Sequence, residues 1–146
     1  MQVLHPQTLG NAFNDSPAGL ASWLVERRRS WSDCDGDVER RFSKDELLIN
    51  VMIYWATETY TTSARFYREA ALAHWTPSHP GTPPVGVPTA VTVFKPDVAR
   101  VPTEEQLRKT YNLTQFRVHE RGGHFAPAEE PETFVTNVRD AFRPMR

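Results

Sequence analysis

Two short apolar segments in the carboxy-terminal half of the chain, with a helical pattern between them, place the strongest constraint on its fold. Residues 87–94 form a β-branched run, residues 103–111 an amphipathic helix, and residues 115–119 a second short strand. Short loops join the three segments, which predicts a right-handed crossover and a parallel strand pair. Parallel sheets are covered on both faces and normally have several strands. We therefore expect the last section of a larger, doubly wound α/β sheet, with its other strands upstream of Met1.

The amino-terminal half has the pattern of helices. Residues 14–29 are predicted to form one helix, because an Asn-Asp-Ser sequence offers N-caps and Pro17 suits the first turn. A second helix begins at Ser43, which has capping-box spacing to Glu46, and its apolar residues occupy more than one face. This predicts a helix buried between two layers. A third helical stretch, over residues 63–74, follows a Thr-rich break.

The region between the two halves is rich in proline and glycine, so residues 74–87 are predicted to be a linker. Near the end of the chain, residues 121–124 have the composition of a turn. Pro131 then opens a last helix, which extends to about Phe142.

Composition excludes several classes of partner. The chain of 146 residues has 17 basic and 18 acidic residues and a net charge of -1, which argues against nucleic acid or an anionic membrane surface as a partner. Its apolar stretches are shorter than the roughly 20 residues that span a bilayer, and residues 1–10 do not resemble a signal peptide. The single cysteine, Cys34, excludes an intramolecular disulfide and is compatible with a reducing compartment. We expect a soluble, cytoplasmic protein.

One candidate functional residue follows each predicted strand. Asp97 comes after the first strand and His124 after the second, 27 positions later. Since the carboxyl ends of parallel strands lie at the same sheet edge, we expect the two side chains to meet. A carboxylate that accepts a hydrogen bond from one imidazole nitrogen leaves the other free to take a proton. The pattern alone leaves open a surface histidine and a locally bonded turn aspartate.

Several segments, in order along most of the chain, resemble the epoxide hydrolase group of the α/β-hydrolase superfamily. The histidine segment reads RGGHFA at residues 121–126, with EEPE at residues 129–132. Three further segments resemble the microsomal-type branch and its bacterial relatives: FNDSPAGL at residues 13–20, WSDCDGD at residues 31–37 and YWAT at residues 54–57. The resemblance implies the carboxy-terminal part of such an enzyme. Residues 1–60 would then belong to a helical lid and residues 61–146 to the α/β-hydrolase core.

The resemblance also implies roles for individual residues. His124 would be the general base that activates water against an ester intermediate, and Asp97, in FKPD, its carboxylate partner. Tyr54 would be a lid tyrosine that hydrogen-bonds the epoxide oxygen and protonates the alkoxide; without the resemblance, a core aromatic residue is the simpler interpretation. No cofactor is implied. The family's nucleophilic aspartate sits on a sharp turn far upstream, and no Gly-x-Asp-x-Gly or Gly-x-Ser-x-Gly elbow occurs here.

Alternative interpretations remain at this point. Without its nucleophile the chain is expected to be inactive alone. It is then a part of a working epoxide hydrolase. The alternative is a non-catalytic product, either a remnant or an interaction subunit that complements a separate amino-terminal half. Another reaction on the same fold, such as that of an esterase, also remains open. So does assembly of the chain into a homo-oligomer. The alternating acids of residues 33–39 suggest calcium, but their glycine is misplaced for an EF-hand loop and a solvated acidic loop is favoured. No histidine has metal-ligand spacing, and we assign no metal site.

Overall fold

The computed structural model describes residues 3–74, 76 and 81–145, which form two compact units. The first unit contains residues 3–30 and 36–74, and the second contains residues 31–35, 76 and 81–145. Residues 75 and 77–80 of the predicted linker lie outside the described residues, and the prediction is wrong for residues 85–87, which belong to a β-strand that begins at Val85. The division of lid from core near residue 60 stays a prediction.

The described part of the first unit is helical. Its helices are α1 (Pro6–Asp15), α2 (Pro17–Trp31), α3 (Lys44–Thr57) and α4 (Tyr60–Leu72), with a short 3₁₀ helix at Val38–Arg40. The three predicted helices are present as α2, α3 and α4. Helix α4 begins three residues before its predicted start at residue 63. Helix α1 was not predicted, because its support is tertiary. Arg65 on α4 donates to the Gln7 side chain at 2.5 Å, and Arg68 donates to the Leu4 carbonyl at 2.9 Å.

The helix ends follow local hydrogen bonding. Ser16 Oγ accepts a hydrogen bond from the Gly19 amide at 3.0 Å and so caps α2. The predicted capping box of α3 is confirmed, since the Ser43 side chain accepts from the Glu46 amide and the Glu46 carboxylate accepts from the Ser43 amide. Hydrogen bonds from the Ser43 side chain and backbone lower the pKa of Glu46. Helix α3 ends at Thr57, and its C-cap residue Glu58 has a left-handed backbone with φ of 53°, so the Thr-rich break is a true helix end.

The core of the first unit is small and centred on Leu20, Val51, Tyr60 and Ala64. Tyr60 lies at the start of α4 and meets the Phe13 ring edge-on at 4.7 Å. The prediction that α3 is buried between two layers is wrong for this chain. One face of α3 is buried through Leu47 and Val51, whereas four other apolar side chains of the helix are 53–59% exposed, because no described residue covers them. These exposed side chains, the α3 apolar face, are Leu48, Ile49, Met52 and Ile53.

The Tyr60 hydroxyl group is buried at a cost. The residue is 3% exposed, and among the described residues its hydroxyl has no hydrogen-bond partner. Burial raises the pKa of Tyr60 to about 12, since the phenolate loses more hydration than the phenol. Arg27 acts in the opposite direction but does not offset the burial.

Replacement of Tyr60 by Phe tests this burial. We expect the Tyr60→Phe variant to match or exceed wild-type stability at pH 7, by up to about 1 kcal/mol, because no hydrogen bond is lost. The wild type should lose stability as the pH rises from 10 towards about 12, since Tyr60 ionises more readily in the unfolded chain, and the variant should lack this loss. Urea unfolding at several pH values measures both effects.

The matched control is Tyr67→Phe, on the same helix but 45% exposed, which should keep the wild-type pH dependence. An unchanged alkaline slope in the Tyr60→Phe variant would mean that the phenol is hydrated in solution.

The second unit contains a two-stranded parallel sheet with helices. Its elements are β1 (Val85–Phe94), α5 (Glu104–Arg108), β2 (Tyr111–His119), α6 (Ala126–Glu129) and α7 (Pro131–Phe142), followed by a 3₁₀ turn at Arg143–Met145. The predicted parallel pair is confirmed, with Val85 opposite Tyr111 and Phe94 opposite His119. The register shifts between Val85 and Pro88, where proline has no amide hydrogen to donate, and again between Thr89 and Ala90.

Three boundaries in this unit differ from the prediction, the first of them being the start of β1, which lies at Val85 rather than at residue 87. Helix α5 has its predicted cap, Thr103, but ends at Arg108, and β2 begins at Tyr111 rather than at residue 115. Pairing with β1 makes the strand begin earlier than the local sequence pattern predicts. Leu113 is buried and lies opposite Thr89, so the chain must already be extended there. The last helix begins at Pro131, as predicted.

A polar cluster fastens α7 to the sheet. The Asn137 side chain is buried and accepts a hydrogen bond from Arg117 Nη1 at 2.9 Å, and Arg117 also pairs with Asp140. The Asn137 amide nitrogen lies 2.9 Å from His119 Nε2, and the His119 ring stacks on Phe94. These contacts join α7 to the carboxyl end of β2.

No helix in the described residues is long and apolar enough to cross a membrane. The cytoplasmic location stays a prediction.

Candidate functional site

The carboxyl ends of β1 and β2 bring the two predicted catalytic side chains together. Phe94 and His119 are register partners at the last position of the pair, and the Lys95 amide donates to the His119 carbonyl at 2.9 Å. Asp97 follows in a turn closed by its own amide and the Phe94 carbonyl. His124 lies beyond the turn that follows β2. Parallel pairing thus makes neighbours of residues 27 positions apart in sequence.

The contact between them is a hydrogen bond in the geometry that a base requires. His124 Nδ1 lies 2.9 Å from Asp97 Oδ1. A carboxylate only accepts, so the proton of the neutral ring is placed on Nδ1 and the lone pair on Nε2. Asp97 Oδ1 also accepts from the Ala99 amide at 3.2 Å, which holds the carboxylate in the turn. The arrangement can take a proton at Nε2 and stabilise the resulting imidazolium.

Aromatic rings flank the His124 imidazole. The Trp31 ring meets it edge-on with centroids 5.1 Å apart, and the Phe125 ring does so at 5.2 Å. The Trp31 carbonyl also accepts a hydrogen bond from the His124 amide at 2.8 Å. The His124 side chain is 40% exposed, so water reaches the ring while its apolar neighbours restrict its rotation.

Two acidic residues that the sequence did not place in the site hold residues 121–125, which we call the histidine turn. The Glu129 carboxylate accepts hydrogen bonds from the backbone amides of Asp33, Gly123 and Phe125 at 2.7, 3.0 and 2.9 Å. The Asp33 side chain accepts from the Gly122 amide at 2.9 Å. The solvated acidic loop predicted for residues 33–39 is therefore wrong for Asp33. One feature of the sequence could have indicated these contacts: residues 31–37 and 129–132 both lie in segments that resemble the family.

Tyr54 lies on α3 in the first unit and is half-buried. Its ring meets that of Tyr60 edge-on, with centroids 6.4 Å apart. Its part in catalysis stays a prediction. Within the described residues, no group of three or more His, Cys, Asp or Glu side chains is arranged to hold a metal ion.

Backbone atoms pack so closely around Gly123 that a side chain does not fit there. A Cβ atom at Gly123 would lie 2.5 Å from the Trp31 carbonyl oxygen, 2.7 Å from the Asp33 nitrogen and 2.8 Å from the Ser32 Cα atom. All three are backbone atoms, so rotation of a side chain cannot relieve the contact. The histidine turn and residues 31–35 meet at this point.

The Gly123→Ala substitution tests this close packing. We expect a loss of about 1–3 kcal/mol in the free energy of unfolding, because the two backbone segments must separate. Thermal and urea unfolding of the 146-residue chain measure the loss. The control is Gly86→Ala in β1, where a Cβ atom meets nothing within 4 Å and stability should be kept. Equal stability of the two variants would contradict the packing of the turn against residues 31–35.

Known proteins resemble this chain over nearly its whole length. A putative epoxide hydrolase of Stigmatella aurantiaca (strain DW4/3-1) is 37% identical and covers 100% of the chain, which corresponds to 32% of the relative. Epoxide hydrolase 1 of Sus scrofa is 38% identical and covers 95% of the chain, again 32% of the relative. No model of a known protein family matches the sequence.

Solved structures give the same relationship. The crystal structure of juvenile hormone epoxide hydrolase from Bombyx mori matches with a TM-score of 0.81 and 35% identity, covering 98% of this chain and 38% of that one. The Aspergillus niger epoxide hydrolase matches with a TM-score of 0.76 and 27% identity. The chain spans about a third of the length of the curated relatives that it matches.

The match to the solved structures identifies the parallel strand pair, with its acid and histidine after successive strands, as belonging to the carboxy-terminal part of an α/β-hydrolase fold. The sequence and the structure of the chain match the carboxy-terminal part of epoxide hydrolases of this superfamily.

Proposed function

We propose that the chain provides the water-activating part of an epoxide hydrolase, which adds water to an epoxide to give a vicinal diol. The observation that carries the proposal is the 2.9 Å hydrogen bond between His124 Nδ1 and Asp97 Oδ1 at the ends of paired strands. It orients the imidazole with Nε2 available to a water molecule. The epoxide hydrolase relatives support the choice of reaction.

The first step forms an ester on an aspartate that this chain does not contain. The aspartate carboxylate attacks an epoxide carbon, the ring C–O bond breaks, and the released oxygen takes a proton. We assign the donation of that proton to Tyr54, whose phenol stabilises the developing alkoxide. A phenol suits this task because it holds its proton at neutral pH and gives it to a stronger base.

The second step hydrolyses the ester, and here His124 acts. A water molecule gives a proton to His124 Nε2 as its oxygen attacks the ester carbonyl, and Asp97 stabilises the imidazolium. The bond between the carbonyl carbon and the alkyl oxygen then breaks. The alkoxide leaving group takes the proton from His124 and departs as the diol. The aspartate carboxyl group keeps the second proton of the water molecule and passes it, through solvent, to the Tyr54 phenolate left by the first step, which restores the carboxylate and the phenol. No cofactor takes part in either step.

We further propose that the nucleophile comes from an amino-terminal portion that packs on two exposed apolar surfaces. In the first unit this surface is the α3 apolar face, Leu48, Ile49, Met52 and Ile53. In the second unit it is a groove of about 310 Å³ between β1 and α7, bordered by the exposed rings of Phe134 and Phe142. Apolar surfaces of this kind are normally covered. The chain alone is therefore expected to be inactive.

A chimeric protein tests the proposal. The portion of the Stigmatella aurantiaca relative that precedes its matching third is joined to this chain, and hydrolysis of an aryl epoxide such as styrene oxide is measured by diol formation. We expect diol from the chimera and none from the chain alone. His124→Gln in the chimera should lower the rate at least about 100-fold, since the general base is lost.

His74→Gln is the matched control, because His74 is exposed just beyond α4 and should not affect the rate. A folded chimera that opens no epoxide would contradict the proposed reaction. Diol formation by the chain alone would contradict the assignment of the nucleophile to another segment.

A further inference from the structure

We propose that Glu129 is a positioning residue for His124, holding the histidine turn so that the imidazole keeps its hydrogen bond to Asp97. The inference rests on the proposed function for its catalytic meaning, but the geometry that it concerns is a property of the chain itself. Glu129 does not contact the imidazole and acts through the backbone on either side of it.

The Glu129 carboxylate is buried, and both of its oxygens accept hydrogen bonds. The residue is 6% exposed at the end of α6. Its Oε2 atom accepts from the amides of Asp33 and Gly123, and its Oε1 atom accepts from the amide of Phe125. A buried carboxylate that lacked such donors would be costly, and charge-assisted bonds to three amides offset that cost.

The three donors include both neighbours of the histidine. Gly123 precedes His124 and Phe125 follows it, so one carboxylate fixes the backbone on both sides of the base. The direction of the imidazole depends on that backbone, because its Nδ1 atom must stay 2.9 Å from Asp97 Oδ1. A displacement of about 1 Å is enough to impair a catalytic group.

The bond to Asp33 extends the role of Glu129 beyond that of a local helix cap. Asp33 is 96 residues away in sequence, and its side chain accepts a hydrogen bond from the Gly122 amide. Together these bonds hold residues 31–35 against the histidine turn. They also place the Trp31 ring and carbonyl beside His124. Loss of the carboxylate would therefore loosen the turn and its aromatic neighbour together.

The test compares two substitutions of a carboxylate by an amide in the same unit. In Glu129→Gln the amide NH₂ group must face at least one of the backbone donors, because only one oxygen remains to accept. Asp140→Asn is the matched control, since Asp140 lies on α7, pairs with Arg117 of β2 and has no contact with the histidine turn among those described above. Both variants are expected to lower the thermal unfolding temperature.

The readout that separates positioning from stability is the tautomer of His124. Long-range ¹H–¹⁵N NMR spectra of the 146-residue chain, above the pH of ring titration, distinguish Nδ1–H from Nε2–H imidazole, and His124→Gln identifies the signals. We expect Nδ1–H to dominate in the wild type and in Asp140→Asn. In Glu129→Gln the ratio of Nδ1–H to Nε2–H should fall by about fivefold or more, as expected for the loss of one net hydrogen bond.

An unchanged tautomer ratio in folded Glu129→Gln would overturn the proposal and leave Glu129 a purely structural residue. If this variant does not fold, Glu129→Asp decides the matter, because it keeps the charge but shortens the reach to the amides. The ratio should fall there as well, and an unchanged ratio would again overturn the proposal. A lowered ratio in a chimera that hydrolyses no epoxide would support the positioning role while refuting the proposed function.

Discussion

Parallel pairing of β1 with β2 is the constraint on which the candidate site depends. The pairing sets Phe94 opposite His119, and from there each chain segment needs only a short turn to place its candidate catalytic side chain. Asp97 and His124 then meet at hydrogen-bond distance despite their separation in sequence. A slip in register would move one strand end relative to the other by a residue spacing of about 3.3 Å, more than the hydrogen bond tolerates.

The sequence predicted the elements whose signals are local. The capping box at Ser43, the cap at Thr103 and the helix that begins at Pro131 each follow from a few neighbouring residues. The parallel pair followed from topology, because a strand, a helix and a strand joined by short loops have few other arrangements. The contact of Asp97 with His124 was expected on the same ground.

Features that depend on distant contacts were missed. Helix α1 is supported by side chains of α4, and its apolar residues Leu9 and Phe13 pack on the core of the first unit. The start of β2 at Tyr111 is set by pairing with β1 rather than by local propensity. The carboxylates of Asp33 and Glu129 were assigned no contact because their donors are backbone amides, which have no sequence signature. The histidine turn is thus held mainly by hydrogen bonds from backbone amides to carboxylates, which a sequence pattern does not predict.

The proposed division of labour assigns ring opening to Tyr54 and an upstream aspartate, and ester hydrolysis to His124 with Asp97. The first step forms the ester intermediate, and the second step removes it. A defect in the first step slows its formation, whereas a defect in the second lets it accumulate. Tyr54 and His124 belong to different units of the chain, so their substitutions are separable tests of the two steps.

Intact-protein mass spectrometry after mixing the chimera with excess epoxide tests this division most directly. The account predicts that His124→Gln accumulates an adduct with the mass of the epoxide, and that Tyr54→Phe forms little adduct because ring opening is slowed. An absence of adduct in folded His124→Gln, with diol still released at the rate of the unsubstituted chimera, would contradict the claim that His124 activates water against an ester.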